Sequence, residues 1–187
     1  MRRQLQSRIV AARETDLPGI AALAGVIWRA HYPGIISAGQ IEYMLARMYN
    51  LAVMEMEMRR GICYDCLFVE KQMIAFASYG SAHIDEIKLH KLYVHPDWQH
   101  RGFGSRLLRH VEQVARQRMA GTLCLTVNKA NAKAIAAYQK NGFSVRESIV
   151  ADIGGGFVMD DYFMAKTSVS LLAQPLTQIF CHKVVIC

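Results

Sequence analysis

Apolar and polar positions alternate along the chain in a way that divides it into short strands and amphipathic helices. Residues 8–12 (RIVAA) read as a short strand. From Asp16, a candidate N-cap, to about His31, the apolar positions Ile20, Leu23, Ala24, Ile27 and Trp28 recur at helical spacing. Pro33 and Gly34 break this helix. Ser37 can cap a second helix, whose stripe is Ile41, Met44, Leu45 and Met48. Two strands follow over about 64–70 and 73–80, joined at an EKQM corner, and a third over about 84–94 begins with the alternation of HIDEIKLHKLYV. Gly102 to about Met119 predicts a helix with Phe103, Leu107, Leu108, Val111 and Ala115 on one face. TLCLTV at 122–127 is continuously apolar, as in a strand covered on both faces. A helix from about Ala130 to Lys140 stops at Asn141-Gly142, and SVRESIVAD and FVMDDYFMA flank IGGG as a hairpin.

The resulting order is β α α β β β α β α β β. It predicts an α/β protein with a central mixed, mostly antiparallel sheet of about seven strands and about four helices. A right-handed crossover makes the strands at 84–94 and 122–127 a parallel pair.

Composition narrows the class. The 187 residues are 52% hydrophobic and 20% charged, which fits one globular domain with a full core. The opening MRRQLQSR is basic without the apolar stretch of a signal peptide, and no run reaches the roughly 18 apolar residues of a membrane span. Five scattered cysteines suggest a reduced, cytoplasmic chain. Cys63 and Cys66 form a C-x-x-C, but no second ligand pair completes a zinc site, so no metal is expected. The net charge of +7 attracts polyanions. Without zinc-finger spacing or aromatics interleaved in a basic block, nucleic acid is an unfavoured partner.

One segment, QHRGFG at 99–104, places two glycines between a strand and a helix. A helix N-terminus offers unpaired N–H groups and partial positive charge, and glycines at Gly102 and Gly104 let an anion approach them. Five arginines and one acid, Glu112, lie between Gln99 and Arg118. The pattern is neither a P-loop nor a Rossmann fingerprint.

Gln99-x-x-Gly102-x-Gly104 resembles the Q/R-x-x-G-x-G/A signature of the GNAT N-acetyltransferases, and it follows a strand ending LYVHP. NKANAKAIAAYQKNGF resembles that family's second cofactor motif, with Asn131, Ala134, Tyr138 and Gly142-Phe143 at matching places. The likeness covers about residues 8 to 167, so the chain divides into a GNAT domain at 1–167 and an extension at 168–187. "WRAHYPGI" and "GGGFVMDDYFM" weakly resemble a bacterial subgroup that includes polyamine acetyltransferases. The resemblance implies the acyl-CoA N-acyltransferase fold and acetyl-CoA as donor. Its pyrophosphate would rest on the backbone from Arg101 through Phe103 to Ser105, with Gln99 and His100 alongside. Its pantetheine arm would follow Leu92, Tyr93 and Val94 between two splayed strands, meeting Asn131, Ala134 and Tyr138 across the gap. The Val94 N–H would meet the acetyl carbonyl, and Tyr138 would act as acid at the sulfur.

Acetylating an amine requires an ammonium to lose a proton and a thiolate to gain one. Period-two geometry puts Glu86, Lys88, His90, Leu92 and Val94 on one strand face. The resemblance implies a glutamate or histidine base on this strand, and with Lys88 at the position that often holds glutamate, it favours His90 as base and Glu86 second. Cys124 suggests a covalent acetyl route, with direct transfer in a ternary complex preferred. For the acceptor, relatives imply Trp28, His31 and Tyr32 from the first helix and its exit, with Asp160 and Asp161 from the last hairpin. Aromatics and acids suit a cationic amine. A small amine such as a polyamine, a protein N-terminus or lysine, and a non-catalytic acyl-CoA sensor all remain open. The extension could pack on the domain, cover a sheet edge or pair two subunits into a homodimer.

Overall fold

The computed structural model describes residues 6–167. Its strands are β1 (Ser7–Ala11), β2 (Cys63–Val69), β3 (Gln72–His83), β4 (Glu86–Val94), β5 (Thr122–Asn128), β6 (Ser144–Gly154) and β7 (Phe157–Thr167). Its helices are α1 (Leu17–His31), α2 (Ala38–Met48), α3 (Leu51–Arg59), α4 (Phe103–Gln117) and α5 (Ala132–Lys140). The strands form one mixed sheet in the order β1-β2-β3-β4-β5-β7-β6. β4 and β5 are parallel, joined by the α4 crossover, and the other neighbouring pairs are antiparallel. The expected extension at 168–187 lies outside the described residues.

Apolar stripes place the helices on both faces. Leu107, Leu108 and Val111 of α4 pack on one face with Ile74, Leu123, Leu125 and Met164, and α5 adds Ala134 and Tyr138 at its margin. Ile20, Ile27 and Trp28 of α1, Ile41 and Met44 of α2, and Met54 of α3 cover the opposite face with Tyr64 and Phe76. Ser37 caps α2 as expected, its Oγ accepting from Gln40 N at 3.1 Å. Asp16 does not cap α1: its carboxylate accepts from Arg13 N at 2.8 Å and closes the preceding turn instead.

Two further features depart from the sequence expectation. α3 is a fifth helix, capped by Asn50, whose side chain accepts from Ala52 N at 3.0 Å. Met54 is its one buried residue, too narrow a stripe to stand out in LAVMEMEMR. The second is a bulge in β4. Ser78 pairs with Lys91 but Tyr79 with Leu89, leaving His90 as the extra residue. Alternation therefore restarts there. Ile87 and Leu89 pack on the α4 side, as do Leu92 and Val94, while Tyr93 packs on the α1 side. The expectation that Glu86, Lys88, His90, Leu92 and Val94 share one face is corrected by this single residue.

The β6–β7 turn is tied to α2. Gly154, Gly155 and Gly156 have φ of 83°, 66° and 77°. A Cβ on Gly155 would lie 2.8 Å from the Tyr43 ring. Tyr43 donates to Ile153 O at 2.7 Å, and Gln40 Nε2 to Val158 O at 2.9 Å. Among the described residues no helix is long and apolar enough to cross a membrane, and no group of His, Cys, Asp or Glu is placed to hold a metal ion. Cys63 and Cys66 carry free thiols, and they serve opposite cores.

Candidate active site

The parallel pair opens into a V. β4 and β5 are in register from Glu86–Thr122 to Leu89–Leu125 and no further, although β4 continues to Val94 and β5 to Asn128. The gap forms a cleft of about 480 Å³ that continues between α1, α4 and α5. The backbone at its edge is available. His95 N donates to Ile74 O at 2.8 Å, and antiparallel alternation then sends the N–H of Tyr93 to β3 and those of Leu92 and Val94 into the gap. The carbonyl of Val94 is taken, because Gln99 Nε2 donates to it at 3.1 Å. Gln99 thus shapes the end of β4, and the sequence pattern alone does not distinguish this from direct ligand contact.

At one mouth of the cleft, α4 begins. Its first helical bond runs from Arg106 N to Gly102 O at 3.0 Å, so the N–H groups of Phe103, Gly104 and Ser105 have no partner within the helix. Gly102 is the N-cap with φ 83°, and no atom lies within 4 Å of where its Cβ would be. His100 also has positive φ, 58°. A Cβ on Gly104 would point toward Val94, 3.6 Å from its Cγ2, inside the gap. These bare amides fit a diphosphate, and the narrow apolar gap beyond them fits an extended pantetheine arm. Arg101 and Phe103 stand outside the cleft wall: the Arg101 guanidinium lies 5.0 Å from the Trp98 ring centre, and Phe103 packs against the same ring.

Across the gap, Asn131 and Tyr138 both reach the cleft. Asn131 is the N-cap of α5 rather than a residue within it; its Oδ1 accepts from Ala134 N at 3.2 Å, leaving its amide N–H groups to donate. Tyr138 packs on Phe143 with ring centres 5.7 Å apart. Burial raises its pKa above the usual phenol value, with Tyr32 adding to the effect, so the hydroxyl holds its proton at neutral pH.

The chamber on the α1 side is mainly apolar. Trp28 and Tyr32 lie with ring centres 4.3 Å apart, and the Tyr32 hydroxyl is 3.2 Å from that of Tyr93. His31, Met44, Met48 and Met159 continue the wall. Asp161 is the one carboxylate on it. Its Oδ1 is buried without a hydrogen-bond partner, and burial, then the neighbouring Asp160, raises its pKa. Asp160 is not on the wall but pairs with Lys129. His90 borders the cleft from the bulge. It keeps much of its surface accessible, yet lost hydration, then Lys88 and Lys91, push its pKa down to about 4. Glu86 lies away from the cleft, accepting from Cys124 Sγ and Arg146, each at 3.2 Å. Cys124 is buried, and desolvation followed by Glu86 pushes its thiol up to about 12, which disfavours a thiolate nucleophile.

Lys91 is a cleft-lining residue that sequence reasoning missed. KLHKLY reads as a solvated strand, and nothing in it announces the bulge that turns Lys91 inward. Its side chain is 2% exposed; Nζ donates to Glu57 of α3 at 2.6 Å and to Tyr64 Oη at 2.8 Å.

Comparison with known proteins shows what the chain is similar to. A family profile described as "Acetyltransferase (GNAT) family" matches residues 28–143. The chain is 25% identical over 150 residues to a spermidine N(1)-acetyltransferase of Thermoplasma acidophilum, covering 78% of this chain and 90% of that protein. It is 40% identical over 78 residues to the ribosomal protein bS18-alanine N-acetyltransferase of Salmonella typhimurium, a match spanning 42% of this chain and 52% of that enzyme. The crystal structure of PaiA N-acetyltransferase from T. acidophilum in complex with coenzyme A superposes with TM-score 0.75 and 24% identity, covering 87% of this chain and 99% of that one, a likeness of fold.

Proposed function

The chain belongs to the acetyltransferase (GNAT) family and is an acetyl-CoA-dependent N-acetyltransferase, and on that premise we propose that it transfers the acetyl group directly to a small primary amine held in the chamber beside Asp161. The observation that carries this reading is the meeting, in one cleft, of a bare helix N-terminus, a protonated tyrosine and a buried carboxylate.

Acetyl-CoA supplies an activated thioester; the residues do the rest. The N–H groups of Phe103, Gly104 and Ser105 receive the pyrophosphate. Leu92 and Val94 direct the arm with their backbone, and Asn131 donates to one of its amides. The Val94 N–H stabilises negative charge on the acetyl oxygen as the carbonyl becomes tetrahedral. Asp161 holds the incoming ammonium, and Trp28 and Tyr32 shape the chamber around its body. His90, neutral at pH 7, passes the amine's proton to water. Its low basicity suits a relay better than a store. As the new C–N bond forms and the C–S bond breaks, Tyr138 gives its proton to the leaving sulfur and regains one from solvent. Glu86 has no part in this sequence.

A peptide N-terminus is the second reading, favoured by the 40% identity to the bS18-alanine enzyme. Against it stands the tie between α2 and the β6–β7 turn, which sets Met159 beside Met44 and Met48 in the same wall. The test is thiol release from acetyl-CoA with small amines and N-terminal peptides. Sustained release with a small amine supports transfer; binding of acetyl-CoA without release from any acceptor would leave a sensor in place of an enzyme.

A further inference from the structure

Charge in the acceptor chamber is unevenly supplied. Of all the side chains on the cleft wall, Asp161 alone is acidic; Lys91 is already paired with Glu57, and His100 and Lys133 stand at the entries of α4 and α5. The other carboxylates on the surrounding elements are already committed. Glu57 accepts from Lys91 and Tyr64, Asp160 pairs with Lys129, Glu86 with Arg146, and Glu42 with Arg29. Each additional ammonium brought into the chamber would need its own anionic partner or lose hydration without compensation. The remaining wall offers the half-buried Tyr32, Met48 and Met159, surfaces that gain from covering an apolar body, while Trp28 and Met44 are already buried.

We propose that the acceptor carries a single cationic amine on an apolar body, and that polyamines are discriminated against. This rests on the transfer reading above and narrows it. Asp161 takes the ammonium through its carboxylate, the one acidic group on the wall. The body lies against Tyr32, whose ring packs on the buried Trp28, and Met48 and Met159 adjust around it. The spermidine-acetylating relative is then alike in fold but not in acceptor charge.

The experiment compares amines matched for length. With full-length protein and saturating acetyl-CoA, thiol release is measured for n-hexylamine, 1,6-diaminohexane, 2-phenylethylamine, spermidine and an N-terminal alanyl peptide. The expected result is a kcat/KM at least about tenfold higher for hexylamine and phenylethylamine than for the diamine or spermidine, as one uncompensated charge in a half-desolvated site would impose. Equal or better turnover of the diamine or spermidine, or turnover of the peptide alone, overturns the inference while leaving acetyl transfer standing. No release with any amine, despite acetyl-CoA binding by calorimetry, overturns both. In a second arm, Asp161→Asn is expected to raise the KM for hexylamine about tenfold while leaving the KM for acetyl-CoA within about twofold. A folded Asp161→Asn protein with unchanged amine KM would remove Asp161 as the anchor and the inference with it.

Discussion

Tyr138 and His90 show how one environment suits opposite proton tasks. Lost hydration penalises charge on both, with Lys88 and Lys91 adding to it at His90, which keeps the phenol protonated and the imidazole neutral. Tyr138→Phe retains the ring packed on Phe143 and removes only the proton donor. It is expected to lower kcat by about 10²- to 10³-fold, the usual scale for a positioned acid. Acetyl-CoA affinity, read by calorimetry, should stay near the native value; an unchanged kcat under chemistry-limited conditions would exclude the acid role. For His90, an NMR titration of its ring protons should have its midpoint near pH 4 rather than the ordinary value. The sign of its effect on stability follows. Between its unfolded pKa of about 6.5 and its folded one, the unfolded imidazole takes up a proton that the folded one refuses. Stability should therefore fall as pH drops from about 6.5 toward 4, less steeply in His90→Gln than in the native chain. Identical slopes would show that His90 meets no such penalty.

Among the elements, α4 and α3 make contrasting contributions. The α4 entry was legible because its requirements are local: glycine where φ is positive, then a strong apolar stripe behind it. Gly102→Asp adds both strain at φ 83° and negative charge, and should weaken acetyl-CoA binding by at least about tenfold in a protein that remains folded. Normal binding would displace the phosphate from this site. Ser37 and the IGGG hairpin were legible for similar local reasons. The bulge at His90 and the helix α3 were not. Both depend on what lies opposite in space: the bulge on register with β3, and α3 on a single buried methionine and a carboxylate that meets Lys91. Glu86 and Asp160 lie off the cleft wall for a similar reason, since each is held by a cation, Arg146 or Lys129, from elsewhere in the chain. α3 supports the chamber from behind. Lys91→Met would strand Glu57 and Tyr64 and is expected to cost about 3 kcal/mol in stability by chemical denaturation. A loss below about 0.5 kcal/mol would mean that the pair is fully relaxed by water.

On the scale of the whole molecule, the sheet is two blocks, β1 to β4 and β5 with β7 and β6, hydrogen-bonded to each other over the short register from Glu86–Thr122 to Leu89–Leu125. Donor binding at that opening should register globally. At an acetyl-CoA concentration about 100 times its Kd, binding contributes about 2.7 kcal/mol, which for a chain of this size raises Tm by about 5–11 °C. A scan showing no rise at such a concentration would place the donor elsewhere. The V-shaped gap also has a mechanical meaning. A pantetheine arm laid along Leu92 and Val94 would complete the backbone ladder like a borrowed strand, so each turnover would insert a keystone and withdraw it. Amide hydrogen exchange at the open ends of β4 and β5 should slow together when the donor enters, and quicken together when the free thiol departs.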